Sequence, residues 1–136
     1  MIAVPPRDVT RVQAIVVIPA MPPRESSPNW RGAWPAKARA VREFREMAGW
    51  ATLWAVQDDM VSFAWVYQAR DIVLDVEIAW AKPRRMMDDD NAWASLKAAR
   101  DGIADVLEID DRVFRIGRMT QGRGAGMVTV VLREAG

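Results

Sequence analysis

The chain has 136 residues, 51% of them hydrophobic, with a formal net charge of +1; this length suits one globular domain over 1–136 and leaves no room for a second module. It contains neither Cys nor His, which excludes disulfides, thiolate or imidazole metal sites, Cys nucleophiles and Ser-His-Asp triads, and leaves Asp, Glu and Lys as the strong candidates for polar catalysis. The N-terminal MIAVPPRDVTR has no basic region leading into an apolar run, and no stretch approaches the roughly 20 apolar residues of a bilayer span, so a soluble, cytoplasmic protein with no membrane partner is expected.

Taken in order, Ala14–Ile18 (AIVVI) is a short apolar run closed by Pro19 and reads as a buried first strand. PAMPPRESSPNWRGAW follows, too rich in Pro and Ser for regular structure. Pro35 suits the first turn of a helix that continues through AKARAVREFREMAGWATLWA, with Val41, Phe44, Ala48, Ala51 and Ala55 at helical spacing and Arg39, Arg42 and Glu46 on the other side. From Ile72 to Trp80 the apolar residues Ile72, Leu74, Val76, Ile78 and Trp80 recur with period two, the clearest strand signal in the chain. A second helix is expected over about 91–107, with Trp93, Leu96, Ile103 and Leu107 as its apolar stripe and Asp90 or Asn91 as its cap. Two strands, Arg112 to Met119 and Met127 to Leu132, joined by the turn-prone QGRGAG, complete the order β-α-β-α-β-β. This predicts an α+β fold, a mixed sheet of about four strands with two helices packed on one face. Seven Trp and eight Met point to a well-packed, oligomeric protein, since such side chains fill cores and interfaces.

Charge is unevenly spread. Residues 1–50 carry eight Lys or Arg against four acids, 112–136 carry five Arg against Glu134, and 88–111 carry eight acids against Lys97 and Arg100. Two basic segments thus flank an acidic one, a weak pointer to a polyanionic partner. Within the acidic segment Asp88, Asp89 and Asp90 are consecutive. If the stretch is extended, Asp88 and Asp90 share a face, and two carboxylates on one face call for a cation or a shared proton; hard oxygen ligands suit magnesium. The structural alternative is that these acids cap the following helix and favour its dipole. A calcium loop of the EF-hand type fits poorly, because Ala92 stands where a ligand is needed. Asp110 and Asp111 form a second acidic pair after the second helix, and pattern alone does not bring them near Asp88 and Asp90. Lys97, seven residues after Asp90, either faces back toward the acids or simply pairs with Asp101 one turn on.

DDDNAWASLKAARDGIADVLEIDD resembles the signature of the RusA-type Holliday junction resolvases: an Asp-x-Asp-Asn segment, a following Lys, and a later Asp-Asp pair. MPPRESSPNWRGAWPAKARAVREFR likewise resembles the N-terminal segment of phage-borne members, so the likeness covers most of the chain. Lys97 stands six positions after Asn91, a longer spacing than the motif commonly has. The resemblance implies that Asp88, Asp90 and Asp111, with Asp110 as the close alternative, are metal-binding carboxylates and that Lys97 is the accompanying catalytic lysine. It further implies a homodimer that hydrolyses phosphodiesters in four-way or otherwise branched double-stranded DNA with Mg2+, Mn2+ being a possible substitute. Arg39, Arg42, Arg112, Arg115, Arg118 and Arg123 are the candidate contacts to the phosphate backbone. The rival reading is a non-cutting DNA-binding or packaging accessory protein of the same fold.

Overall fold

The architecture follows from which face of each strand is apolar. In a computed structural model that describes residues 13–135, strand β1 (Ala14–Ile18) buries Ala14, Val16 and Ile18 and leaves Ile15 and Val17 half exposed. Strand β2 (Ile72–Trp80) buries each apolar residue of its period-two set, and β4 (Met127–Glu134) buries Val128, Val130 and Leu132. With β3 (Phe114–Arg123) these make a four-stranded mixed sheet in the order β1-β4-β2-β3: β4 is antiparallel to β1 and β2, and β2 is parallel to β3. The buried faces of β1, β2 and β4 lie on one side of the sheet, where helices α1 (Trp34–Asp58), α2 (Asp89–Ser95) and α3 (Lys97–Leu107) contribute Phe44, Ala48, Trp93, Ile103 and Leu107, with Leu96 between α2 and α3, to a single core. The fold is therefore α+β with its helices on one sheet face, as the patterning implies. The N-terminal MIAVPPRDVTR, with Arg7 and Arg11 of the basic segment, lies outside the described residues.

Local chemistry adjusts several boundaries. The helix expected over 91–107 is two helices, broken at Leu96, whose φ of −100° and ψ of 4° leave the helical region. Ser95 sits at the break with its Oγ donating to the Ala92 carbonyl at 2.7 Å, and Leu96 N–H bonds to Trp93 rather than one residue further back; both tighten the turn and end α2. The cap is Asp88, not Asp90 or Asn91: Asp88 Oδ1 accepts from Asn91 N–H at 2.9 Å. The third strand starts at Phe114 rather than Arg112, because Asp110 accepts from Arg112 N–H at 2.9 Å and caps a single 3-10 turn, Asp111–Val113. That strand then takes in Gln121 to Arg123, which the sequence assigns to the turn. A 3-10 helix at Met60–Tyr67, capped by Asp59, fills a segment that periodicity leaves unassigned.

The β2–β3 pairing shifts register between Leu74 and Val76, and Asp75 holds the irregularity. Its Oδ1 accepts from Arg118 N–H at 2.8 Å and its Oδ2 from Arg133 Nε at 2.7 Å. The hydrogen bond from Arg133 and, after it, the one from the Arg118 backbone hold the Asp75 carboxyl below the usual carboxylate range, against the opposing effect of burial. A folded-state pKa below the unfolded one means stability that is present above the ordinary carboxylate pKa and is lost as pH falls through the folded value. Asp75→Asn is thus expected to cost about 1 to 3 kcal/mol near neutral pH. The gap to the parent should narrow as urea unfolding is repeated at progressively lower pH; a gap independent of pH would mean that the carboxylate charge is not what holds the bulge.

Candidate active site

The chemistry-bearing residues sit at the two ends of the crossover that runs from β2 through α2 and α3 to β3. After Trp80 the chain passes through exposed residues 81–86 and is then held by Gln121 of β3. Gln121 Nε2 donates to the Met87 carbonyl at 2.8 Å, while Gln121 Oε1 accepts from Met87 N–H at 3.3 Å and from Trp80 Nε1 at 3.2 Å. One side-chain amide thereby fixes the backbone immediately before Asp88. Asp88 is the last extended residue (φ −67°, ψ 163°), and Asp89 and Asp90 form the first turn of α2. The extended segment on which Asp88 and Asp90 are expected to share a face therefore ends at Asp88, with Asp90 already in the first helical turn. All three acids are exposed.

Lys97 opens α3, the helix end where the dipole least favours a cation. Its Nζ lies 3.2 Å from Asp101 Oδ2 in an i,i+4 pair, so the surface ion pair is formed. The break at Leu96 also separates Lys97 from the α2 turn that bears Asp90. At the other end of the crossover Asp110 is bound twice by Arg112, whose Nη2 is 2.7 Å and whose Nε is 3.0 Å from Asp110 Oδ2. The Arg112 side chain, followed by its backbone N–H, pushes the Asp110 carboxyl down to about 2. Asp111 is exposed and has no ion-pair partner among the described residues. Of the two, Asp111 is the one left available.

The two acid groups are not brought together in one chain. Asp88 follows Met87, which is tied to Gln121, and Gln121 pairs with Ile78; Asp111 precedes Phe114, which pairs with Ile72. Ile72 to Ile78 is six strand steps, about 20 Å. Among the described residues no group of three or more acids is gathered closely enough to hold a metal ion.

The acids nonetheless divide in an informative way. Asp71, Asp75, Asp101, Asp105 and Asp110 are each paired with a cation, to Arg115, Arg133, Lys97, Arg45 and Arg112 respectively. Asp88, Asp89, Asp90 and Asp111 have no such partner among the described residues, a state they share with Glu25, Glu43, Glu46, Asp58, Asp59, Glu77, Glu108 and Glu134 elsewhere on the chain. Of the expected phosphate contacts, Arg112 and Arg115 are engaged by Asp110 and Asp71, whereas Arg39 and Arg42 on α1 and Arg118 and Arg123 on β3 are exposed and outside any ion pair among the described residues. Sequence reasoning missed Gln121, whose role depends on a contact across 34 residues; no local pattern signals it.

No protein-family model matches the chain. It is 35% identical over 114 residues to an uncharacterized protein of Xylella fastidiosa (strain Temecula1 / ATCC 700964), a match that covers 82% of this chain and 71% of that one. With that identity over most of both sequences, the chain belongs to the same protein family as the Xylella protein.

Proposed function

We propose that this protein is a magnesium-dependent, structure-selective DNA endonuclease of the RusA resolvase type, acting on Holliday junctions or other branched DNA as a homodimer. The observation that carries the reading is the division among the acids. The motif positions Asp88, Asp90 and Asp111 are exposed and lack cations, while their neighbours Asp101, Asp105 and Asp110 are neutralised. Capping by Asp88 and the dipole at the start of α2 account for acids at that place; the nuclease reading adds that the exposed carboxylates of Asp88, Asp90 and Asp111 are free to take a cation from outside the chain.

A single chain does not offer a closed magnesium site, because its acids lie at opposite ends of β2 and β3. A two-fold dimer reverses strand direction in its second copy and so allows one protomer's Asp88 and Asp90 to meet its partner's acid pair. Magnesium, or manganese in its place, would then be held by Asp88 and Asp90 of one protomer and the Asp111 position of the other, where it would supply Lewis-acid chemistry to the phosphodiester. Lys97 would place its ammonium at the phosphate after leaving Asp101, and Arg39, Arg42, Arg118 and Arg123 would contact backbone phosphates. The non-cutting accessory reading keeps one point in its favour, the separation of the acids within the chain.

Lys97 tests the proposal cheaply. The pair with Asp101 is exposed on the lysine side, so Lys97→Ala should cost well under about 1 kcal/mol of stability. On labelled four-way junctions in magnesium the same variant should bind normally and cut at least tenfold more slowly. Parental cutting would reduce Lys97 to a surface ion pair, and a parent that cuts no branched DNA in magnesium or manganese would leave the accessory reading.

A further inference from the structure

The Pro-rich loop before α1 forms one wall of a pocket that neither the motif nor the proposed phosphate contacts include. The cavity, about 240 Å³, lies between this loop, the segment that leads into Asp88, and the end of α2; Arg24, Ser27, Asn29, Trp30, Arg84 and Met87 line it. No acid lines it, and neither Arg24 nor Arg84 is in an ion pair among the described residues. The loop has fixed internal structure. Ser26 Oγ donates to the Pro23 carbonyl at 2.6 Å and lies 3.2 Å from the Ser95 carbonyl of α2, and Trp30 N–H donates to the Ser27 carbonyl at 3.1 Å. Gly32 leaves room for the Trp30 ring, which a Cβ at that position would overlap and displace. On the opposite wall Arg84 is held with its guanidinium carbon 4.1 Å from the centroid of the Trp80 ring, and its Nε donates to the Arg85 carbonyl at 3.0 Å. That arrangement leaves the terminal guanidinium nitrogens of Arg84 for an anion.

We infer that this pocket is a subsite for one unpaired nucleotide of a DNA strand, with Arg24 and Arg84 gripping its phosphate and Trp30 stacking on its base. Two cations and one aromatic face in a single acid-free concavity are the elements of single-strand recognition, in which the guanidinium groups take phosphate oxygens and the ring takes any base. Size argues for part of a polymer over a whole free metabolite, since sites for complete small ligands run from about 300 to 1,000 Å³. Position argues for DNA at the proposed site. Met87 lines the pocket and immediately precedes Asp88, so a phosphate held by Arg24 and Arg84 arrives one residue from acids that would otherwise repel a polyanion. Branched DNA supplies the unpaired nucleotide at its branch point, where stacking is already interrupted.

The subsite rests on the nuclease reading for its role but is tested by binding alone. The probe is a fluorescent oligothymidylate of about ten nucleotides, titrated with parent and variants by anisotropy at several salt concentrations. The double variant Arg24→Gln, Arg84→Gln, which changes only side chains at the pocket mouth, is expected to weaken binding at least tenfold and to reduce the slope of log K against log salt by about 1. Trp30→Ala is expected to weaken binding by about 5- to 100-fold. Gly32→Ala, which displaces the ring without removing it, should shift affinity in the same direction, while Trp54→Ala, on the groove beside β1, should bind as the parent does. Parental affinity and salt slope in the folded double variant and in folded Trp30→Ala overturn the subsite, as does a parent with no saturable binding. A parent that binds through these residues and cuts nothing keeps the subsite and removes the nuclease reading; one that cuts junctions while the variants bind and cut normally does the reverse.

Discussion

Equal mixtures of Asp90→Asn and Asp111→Asn protein, each nearly inactive alone, are expected to regain junction cleavage. The reason is geometric. In the single chain Asp90 and Asp111 lie at opposite ends of a crossover whose strands set them about 20 Å apart or more, so a site that uses both must draw them from different protomers. In a mixed dimer one site then receives both substitutions and the other receives none. After random reassortment half of the dimers are mixed and each has one intact site, so roughly a quarter of parental site activity should return, as nicks in one strand in place of paired cuts. Neither substitution threatens the fold: both side chains are exposed and outside any ion pair among the described residues. Asp88, which caps α2, is deliberately not used, because its loss would also affect the helix start. Variants that are inactive alone and stay inactive after mixing, beside a parent that cuts well, would show that Asp90 and Asp111 serve a site within one and the same protomer; a variant that cuts alone would show that its residue is not needed.

Gly102→Ala is expected to lower the thermal midpoint by about 5 °C or more, against the usual direction of such a change. An exposed helical glycine replaced by alanine gains about 1 kcal/mol of helix propensity. Here α3 crosses α1 with Gly102 at the point of closest approach: a Cβ would overlap the Arg45 carbonyl oxygen and come within 3.2 Å of Ala48 Cβ. Backbone cannot yield as a side-chain tip can, and overpacking of this kind costs about 1 to 3 kcal/mol or more, enough to outweigh the propensity gain. Gly49→Ala is the internal control. Its Cβ would meet Val106 Cγ2 at 3.4 Å, an ordinary contact, so that variant should be neutral or slightly more stable. Both midpoints can be read by calorimetry, and equal midpoints for the two variants would mean that α1 and α3 move apart at no cost. The Asp-Gly step that follows Lys97 in the resolvase-like signature thus has a packing role in its glycine, and cleavage per folded molecule should be unchanged in Gly102→Ala.

What the sequence determined alone was whatever is encoded locally. The period-two run from Ile72 to Trp80 and the helical stripe through Phe44, Ala48 and Ala51 require only a chain that hides one face, and both faces are buried as read. The acids of DDDN and the later pair were equally visible, because a run of like charges is a local feature of the sequence. The structure decided the rest, partly through short-range side-chain hydrogen bonds that hydrophobic patterning does not register and partly through contacts that no window of neighbouring residues contains. It broke the second helix at Leu96, where a Ser95 hydroxyl competes for a backbone carbonyl. It moved the cap to Asp88, since Gln121, 34 residues away, fixes the backbone just before it. It assigned Asp110 to Arg112 and left Asp111 without a cation. Above all it decided distance: acids that look adjacent in a short signature are separated by the length of a strand, because a helix that connects two parallel strands must run back along the sheet before the second can begin.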